Sequence, residues 1–175
     1  MKCGIKFKIP NAYGALLYDI LRGVIDHNTF WRIGYDEVYH ETYMTAPTED
    51  VRDKSIDPYI FSDYILRGDE FERAIRDNTY YAIFLDAYVY NTKREAVEVA
   101  AEEEYFHIKT YAEFSASKCI FAIAVCDNEF VDIAAKDEKI IAIIHENAEN
   151  AGFTDIKIFT DDQDCSNLYL SSSYL

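Results

Sequence analysis

The run YYAIFLDAYVY, residues 80–90, carries one charge, Asp86, in a stretch otherwise made of aromatic and aliphatic side chains and one alanine pair. A segment this apolar has no polar side to turn toward water. As a strand it needs cover on both faces, which puts it in the middle of a sheet. Its content of Tyr, Val, Ile and Phe favours a strand over a helix. A second run, CIFAIAVCD at 119–127, makes the same demand. Two interior strands mean a sheet with material packed on both sides, and the rest of the chain must supply that cover.

The flanking segments fit this role. KCGIKFKI, 2–9, alternates Ile5, Phe7 and Ile9 with Lys6 and Lys8, as a half-buried strand does, and Pro10 stops it. Asn11 can cap a helix over 12–24 whose Leu16, Leu17, Ile20, Leu21 and Val24 share a face. FWRIGYDEVYHETY, 30–43, reads as a hairpin turning near Gly34–Asp36. Residues 44–58 read as an exposed loop. Asp69 with Glu72 has the form of a capping box opening a helix with Phe71, Ala74 and Ile75 inward, and Thr110 with Glu113 has the same form around Phe114. KREAVEVAAEEE, 93–104, is built of good helix formers but is only weakly amphipathic. EFVDIAAK, 129–136, follows a tight turn at Asp127–Asn128 and should pair antiparallel with 119–127. DEKIIAIIHENAENAG, 137–152, is the clearest helix, stopped by Gly152. FTDIKIFTD alternates as a strand whose phase slips near Thr154–Asp155, and SNLYLSSSYL reads as a short edge strand. The expected fold is one α+β domain over 1–175. It has a mixed, mostly antiparallel sheet with helices packed mainly on one face. The segment 91–105 stands out within it as acidic.

Charge narrows the partners. Seventeen Lys and Arg face 32 Asp and Glu, a formal net charge of −15. Such a surface repels nucleic acid and anionic membranes, which need cations facing phosphate. It attracts basic proteins and speeds their association. The same surplus also serves simple solubility. The start, MKCGIKFKIP, lacks the apolar stretch of a signal peptide, and no run reaches the length of a membrane span. The four cysteines, at 3, 119, 126 and 165, form no CxxC pattern, so unpaired thiols in a reducing cytoplasm are the simplest setting.

The motifs that carry chemistry are missing or broken. HENAE, 145–149, resembles the zinc-protease HExxH, but Glu149 stands where the second imidazole must be. There is no P-loop, GxGxxG or G-x-S-x-G, and no cofactor is expected. Cys165 in DDQDCSN has acidic neighbours that hold it as an unreactive thiol. Asp161, Asp162 and Asp164 lack the order and the glycine of an EF-hand loop. They read either as a solvated strand exit or as part of a binding surface. Glu95, Glu98, Glu102, Glu103 and Glu104 form a second acidic cluster. Its 98/102 pair repels along the helix, and Lys93 and Arg94 oppose the dipole at its N-terminal end. It reads as a solvated face or as a used one. Tyr39, Tyr43, Tyr59 and Tyr64 lie near the acidic stretch 49–57 and suit a protein-binding face, since tyrosine brings area at low entropic cost. Tyrosine is equally a good strand residue.

Four segments occur in the order of a known family: KCGIKFKIPNAYGALLYDIL, YYAIFLDAY, IKTYAEFSASKCIFAIAVCDNEFVDIAAKD and NAENAGFTDIKIFTDDQDCSNLYLS. The chain resembles the Bacillus-type domain of unknown function DUF 2691 over these segments, and departs from it at the loop 44–58 and at 91–105, which looks like an acidic insertion. The resemblance implies a single cytoplasmic domain from a Firmicute. It implies no activity and transfers no site residues. It also points toward toxin loci, where small acidic proteins act as immunity proteins. Three readings follow. The first is a non-enzymatic inhibitor of a basic protein, acting through an acidic, tyrosine-rich face. The second is an enzyme whose groups meet only in three dimensions. The third is a module that self-associates through an edge strand.

Overall fold

The two apolar runs take the centre of a seven-stranded sheet, as their lack of a polar side requires. The computed structural model describes residues 2–46, 57–102, 108–160 and 165–171, with the backbone alone over 99–102. The elements are β1 (Gly4–Lys8), α1 (Leu16–Leu21), β2 (Phe30–His40), α2 (Glu41–Met44), β3 (Ile65–Arg67), α3 (Gly68–Arg76), β4 (Tyr80–Tyr90), α4 (Lys93–Glu102), α5 (Tyr111–Ala116), β5 (Phe121–Cys126), β6 (Phe130–Ala135), α6 (Glu138–Asn150) and β7 (Thr154–Phe159). The strand order is β3-β2-β4-β5-β6-β1-β7 and every pair is antiparallel. β4 and β5 are third and fourth. The edges are blunted: β3 has three residues, and the β1–β7 pairing slips between Lys6 and Lys8 beside Asp155, which has φ 54°.

Each face has its own core. On the first, α1, α3 and α6 cover a cluster that includes Phe7, Leu17, Trp31, Val38, Phe71, Leu85, Phe121 and Ile144. Trp31 stacks on Phe71 with ring centroids 3.9 Å apart, and Phe71 stacks in turn on Phe61. α6 delivers Ile141, Ile144 and Ala148 to this core, and Gly152 ends it at φ 73°, the left-handed geometry a side chain would resist. The smaller second core gathers Tyr88, Tyr90, Ala122 and Ala134 under Ala96 of α4, Phe114 of α5, and Leu168 and Leu170. A side chain at Gly4 would put its Cβ 2.3 Å from Leu168 Cδ1, so glycine there lets the 165–171 segment lie on the sheet. The segment expected as an acidic insertion therefore helps to build this second face through Lys93–Glu102.

Five expectations need correcting. The first helix is Leu16–Leu21 and not 12–24; Ala15 stands at its N-cap with no side-chain cap, and Asn11 Oδ1 instead accepts the Tyr81 hydroxyl. Residues 30–40 form one strand and not a hairpin. The register passes from Ile33↔Ala87 to Tyr35↔Asp86, and Gly34 is the extra residue of a bulge. A glycine between apolar runs marks either a turn or a bulge, and here the long partner β4 selects the bulge. The capping acid of α3 is Glu70, whose Oε2 accepts the Arg67 N–H at 2.8 Å, while Glu72 takes His27 at 2.7 Å. Over the described residues 165–171 the tail makes only an isolated bridge, Thr110↔Tyr169, and no edge strand; 172–175 of the expected strand lie outside the described residues. Cys165 is not a thiol: it forms a disulfide with Cys3, while Cys119 and Cys126 are free and buried. Neither sequence spacing nor local composition could pair residues 162 positions apart. The turn at Asp127–Asn128 is as expected. Both residues have positive φ and the Glu129 N–H donates to the Cys126 carbonyl, the form of a type I′ turn.

Candidate functional site

The C-terminal end of β2 assembles the tyrosines. A second register shift, between Glu37 and Val38, lies just before it, and Val38 is buried in the first core. The chain then turns into α2, which brings Tyr43 back over Tyr39 with ring centroids 5.6 Å apart and planes 20° from parallel. Residues 57–60 return along the edge of β2. The Asp57 Oδ1 accepts the Tyr59 N–H, the His40 N–H donates to the Pro58 carbonyl, and the Ile60 N–H donates to the Val38 carbonyl. This sets the Tyr59 ring 5.0 Å from that of Tyr39. Tyr35 stands nearby against Phe84, and its hydroxyl donates to the Glu37 carboxylate. Tyr35 and Tyr59 are 41% and 38% exposed, so the cluster is a surface and not a core.

Among the described residues, the charged groups acting on this end are negative. Burial pushes the Asp36 carboxyl up to about 6, with Asp57 and Glu37 adding repulsion. The hydrogen bond to Glu37 leads in pushing the Tyr35 hydroxyl up to about 12. Burial, then the hydrogen bond with Tyr59, holds the Tyr39 hydroxyl above the ordinary tyrosine range. A cation arriving here would relieve that repulsion.

The other expected residues do not join this cluster. Tyr64 is highly exposed, and its carbonyl accepts the Ile33 N–H, six residues back along β2 from Tyr39. Glu95 and Glu98 lie on α4. There the Thr92 N–H donates to Glu95 Oε2 and the Glu95 N–H to Thr92 Oγ1, a capping exchange the sequence reading missed. Glu98 pairs with Arg94 at 2.5 Å and with Lys118 at 3.9 Å, and the Arg94 contact holds its carboxyl below the usual range. The expected conflict along this helix is thus partly relieved by local partners. Glu102 has only its backbone described, and Glu103, Glu104, Asp161, Asp162 and Asp164 lie outside the described residues, as do 49–56 of the acidic stretch.

Carboxylates elsewhere have structural partners. On the second face, Asp86 accepts the Ser171 hydroxyl at 2.9 Å, and Asp132 accepts the Tyr169 N–H at 2.8 Å and pairs with Lys6 at 3.0 Å. Burial raises the Asp132 pKa against those two partners. His145 of HENAE faces Glu149 at 3.6 Å, one turn along α6. Among the described residues, no group of three His, Cys, Asp or Glu side chains is placed to hold a metal ion. No helix among them is long and apolar enough to cross a membrane.

At the opposite end of the β2–β4 ribbon lies a cavity of about 380 Å³. Trp31, Val89, Ile120, Phe121 and Ile140 give it apolar walls; Asp26, Thr29, Asn91, Lys136 and Asp137 give it polar groups. No histidine or cysteine is among its described lining residues.

A seven-stranded antiparallel sheet with α1, α3 and α6 over one face and a smaller second core under α4 and α5 defines a single α+β domain, with a cluster of tyrosines and carboxylates at one end of β2. The chain belongs to the family described as "Protein of unknown function (DUF2691)", which matches residues 2–170. That span takes in residues 44–58 and 91–105. The chain is similar to the "Uncharacterized protein YncE" of Bacillus subtilis (strain 168), at 31% identity over 165 residues covering 94% of this chain and 95% of the relative. No solved structure matches it.

Proposed function

We propose that the protein is a non-enzymatic binding protein that captures a basic protein partner through the face around Tyr39, in the manner of an immunity-type inhibitor. The observation that carries this is the packing of Tyr39 with Tyr43 and Tyr59 beside Asp36, Glu37 and Asp57. Tyrosine is enriched where proteins bind proteins, because it buries a large area and loses few rotamers. The adjoining carboxylates add attraction for Lys and Arg, and the net charge of −15 extends that attraction over distance. The reading places the protein in the cytoplasm, away from nucleic acid and membranes. An enzymatic reading finds less support: Asp36 and Asp132, the described carboxylates with raised pKa, both lie outside the cavity.

Immobilised protein exposed to lysate and culture supernatant of its source tests this. A stoichiometric basic protein should be retained at low salt and released as salt rises, because screening weakens exposed charge pairs. A bound set that is neither basic nor salt-sensitive would contradict the proposal.

A further inference from the structure

We propose that the cavity beside Trp31 is a small-molecule site for an uncharged amino-substituted heteroaromatic ring, of the adenine or cytosine class, as base or nucleoside. This site is separate from the tyrosine face and does not depend on it. The cavity volume of about 380 Å³ falls within the range of small-molecule sites. One of its lining residues carries an orphan donor. Trp31 is 1% exposed, and its indole N–H meets no acceptor among the described residues. A buried donor left unpaired is costly, and a ligand acceptor atom would satisfy it.

Other lining groups offer the opposite polarity. Asp26 uses Oδ1 to accept the Asn28 N–H at 2.9 Å and its side-chain amide at 3.0 Å. Asp137 caps α6 by accepting the Lys139 N–H on Oδ1 at 2.9 Å. The Oδ2 of each takes no hydrogen bond from a described residue, so both can accept from a ligand. Between these groups the walls are apolar: Val24, Val89, Ile120 and Ile140. A ligand that fits must carry an acceptor, one or more N–H donors, and a flat apolar frame joining them. Aminopurines and aminopyrimidines combine ring-nitrogen acceptors with exocyclic N–H donors on such a frame.

Charge excludes the phosphorylated forms. Asp26 and Asp137 outnumber Lys136, whose ammonium already donates to the Ser117 carbonyl. The net charge of −15 opposes anions at longer range. The expected ligand is therefore a nucleoside or base and not a nucleotide.

Trp31 is the only tryptophan in the chain, so its emission reports directly on the cavity. The protein is titrated with adenosine, cytidine and adenosine monophosphate, with calorimetry in parallel. Adenosine or cytidine should give a saturable emission change, and the monophosphate should bind at least about tenfold more weakly, the equivalent of one lost hydrogen bond to a charged group. Asp26→Asn with Asp137→Asn keeps the turn and the helix cap, because asparagine serves both positions. That double variant should weaken nucleoside binding by about tenfold or more at unchanged Tm. Ile140→Phe, which fills the cavity from α6, should abolish it. No saturable change with either nucleoside at millimolar concentration would overturn the proposal. So would a monophosphate that binds as tightly as its nucleoside, or a double variant that binds like the wild type.

Discussion

The two ends of the β2–β4 ribbon both carry aromatic stacks, and they are used in opposite ways. At one end Trp31 lies flat on Phe71 beneath α3, with Phe61 and Phe121 around it, and it is almost wholly buried. At the other end Tyr39 packs with Tyr43 and Tyr59 at the surface, ringed by carboxylates. The eight residues from Trp31 to Tyr39 span roughly 26 Å of strand, so the two stacks are independent neighbourhoods on one rigid support. What separates them is cover. α3 and the α1–β2 connection close the first end. The second lies past the Gly34 bulge, where β2 turns its Tyr35, Glu37 and Tyr39 toward short, irregular segments. A stack inside the core serves stability most; one half-covered at the surface contributes less to it and leaves its outer face open to a partner.

The comparison breaks first if the buried stack is not the stabilising one. Trp31→Ala should destabilise by about 3–5 kcal/mol in denaturant titration, the range for emptying a large aromatic site in a core. Tyr39→Ala should cost about 1–2 kcal/mol, as a half-covered side chain loses less. Equal losses would remove the distinction.

The disulfide sharpens the picture from the second face. Cys3–Cys165 fastens the segment that carries Leu168 and Leu170 onto β1. Replacing both cysteines with alanine should cost about 2–4 kcal/mol under oxidising conditions. Alkylation of protein unfolded without reductant should label two cysteines, Cys119 and Cys126, when the bond is present and four when it is absent. Labelling in cells therefore weighs the bond against the proposed cytoplasmic setting: two labels show that Cys3–Cys165 persists there, and four show that a reducing compartment opens it.

Asp36 tests whether the tyrosine end is electrostatically strained. Its folded pKa, about 6, lies above its ordinary value of 3.8, so the folded state holds the proton more tightly than the unfolded one. Stability then falls as pH rises through about 4 to 6 and stays reduced above that window. Asp36→Asn should raise stability at pH 7 by about 2 kcal/mol and flatten this part of the profile. A variant whose pH profile matches the wild type would show that the carboxyl is not strained.

The sequence reading found the interior strands because β4 and β5 have no polar face to misplace. It found α6 and the Asp127–Asn128 turn for similar reasons: a regular apolar stripe, and a dipeptide that tolerates positive φ. It failed where one local signal serves two structures. Gly34 announced a turn and delivered a bulge, because the decision rests with β4, some fifty residues away. Trp31 and its cavity were invisible, since Asp26, Asn91 and Asp137 come from three separate connections. For the candidate face, three of the four proposed tyrosines do meet, at Tyr39, but Tyr64 and the α4 glutamates lie elsewhere. Asp36 and Glu37 were passed over, hidden inside the segment read as a hairpin turn.

The most direct test of the tyrosine face is a paired capture. Wild-type protein and a Tyr39→Ala, Glu37→Lys variant, matched in circular dichroism, are immobilised and exposed to the same lysate and supernatant at low salt. The account predicts one basic protein retained in stoichiometric amount by the wild type and lost from the variant. A partner held equally by both would place recognition elsewhere on the molecule and contradict the account.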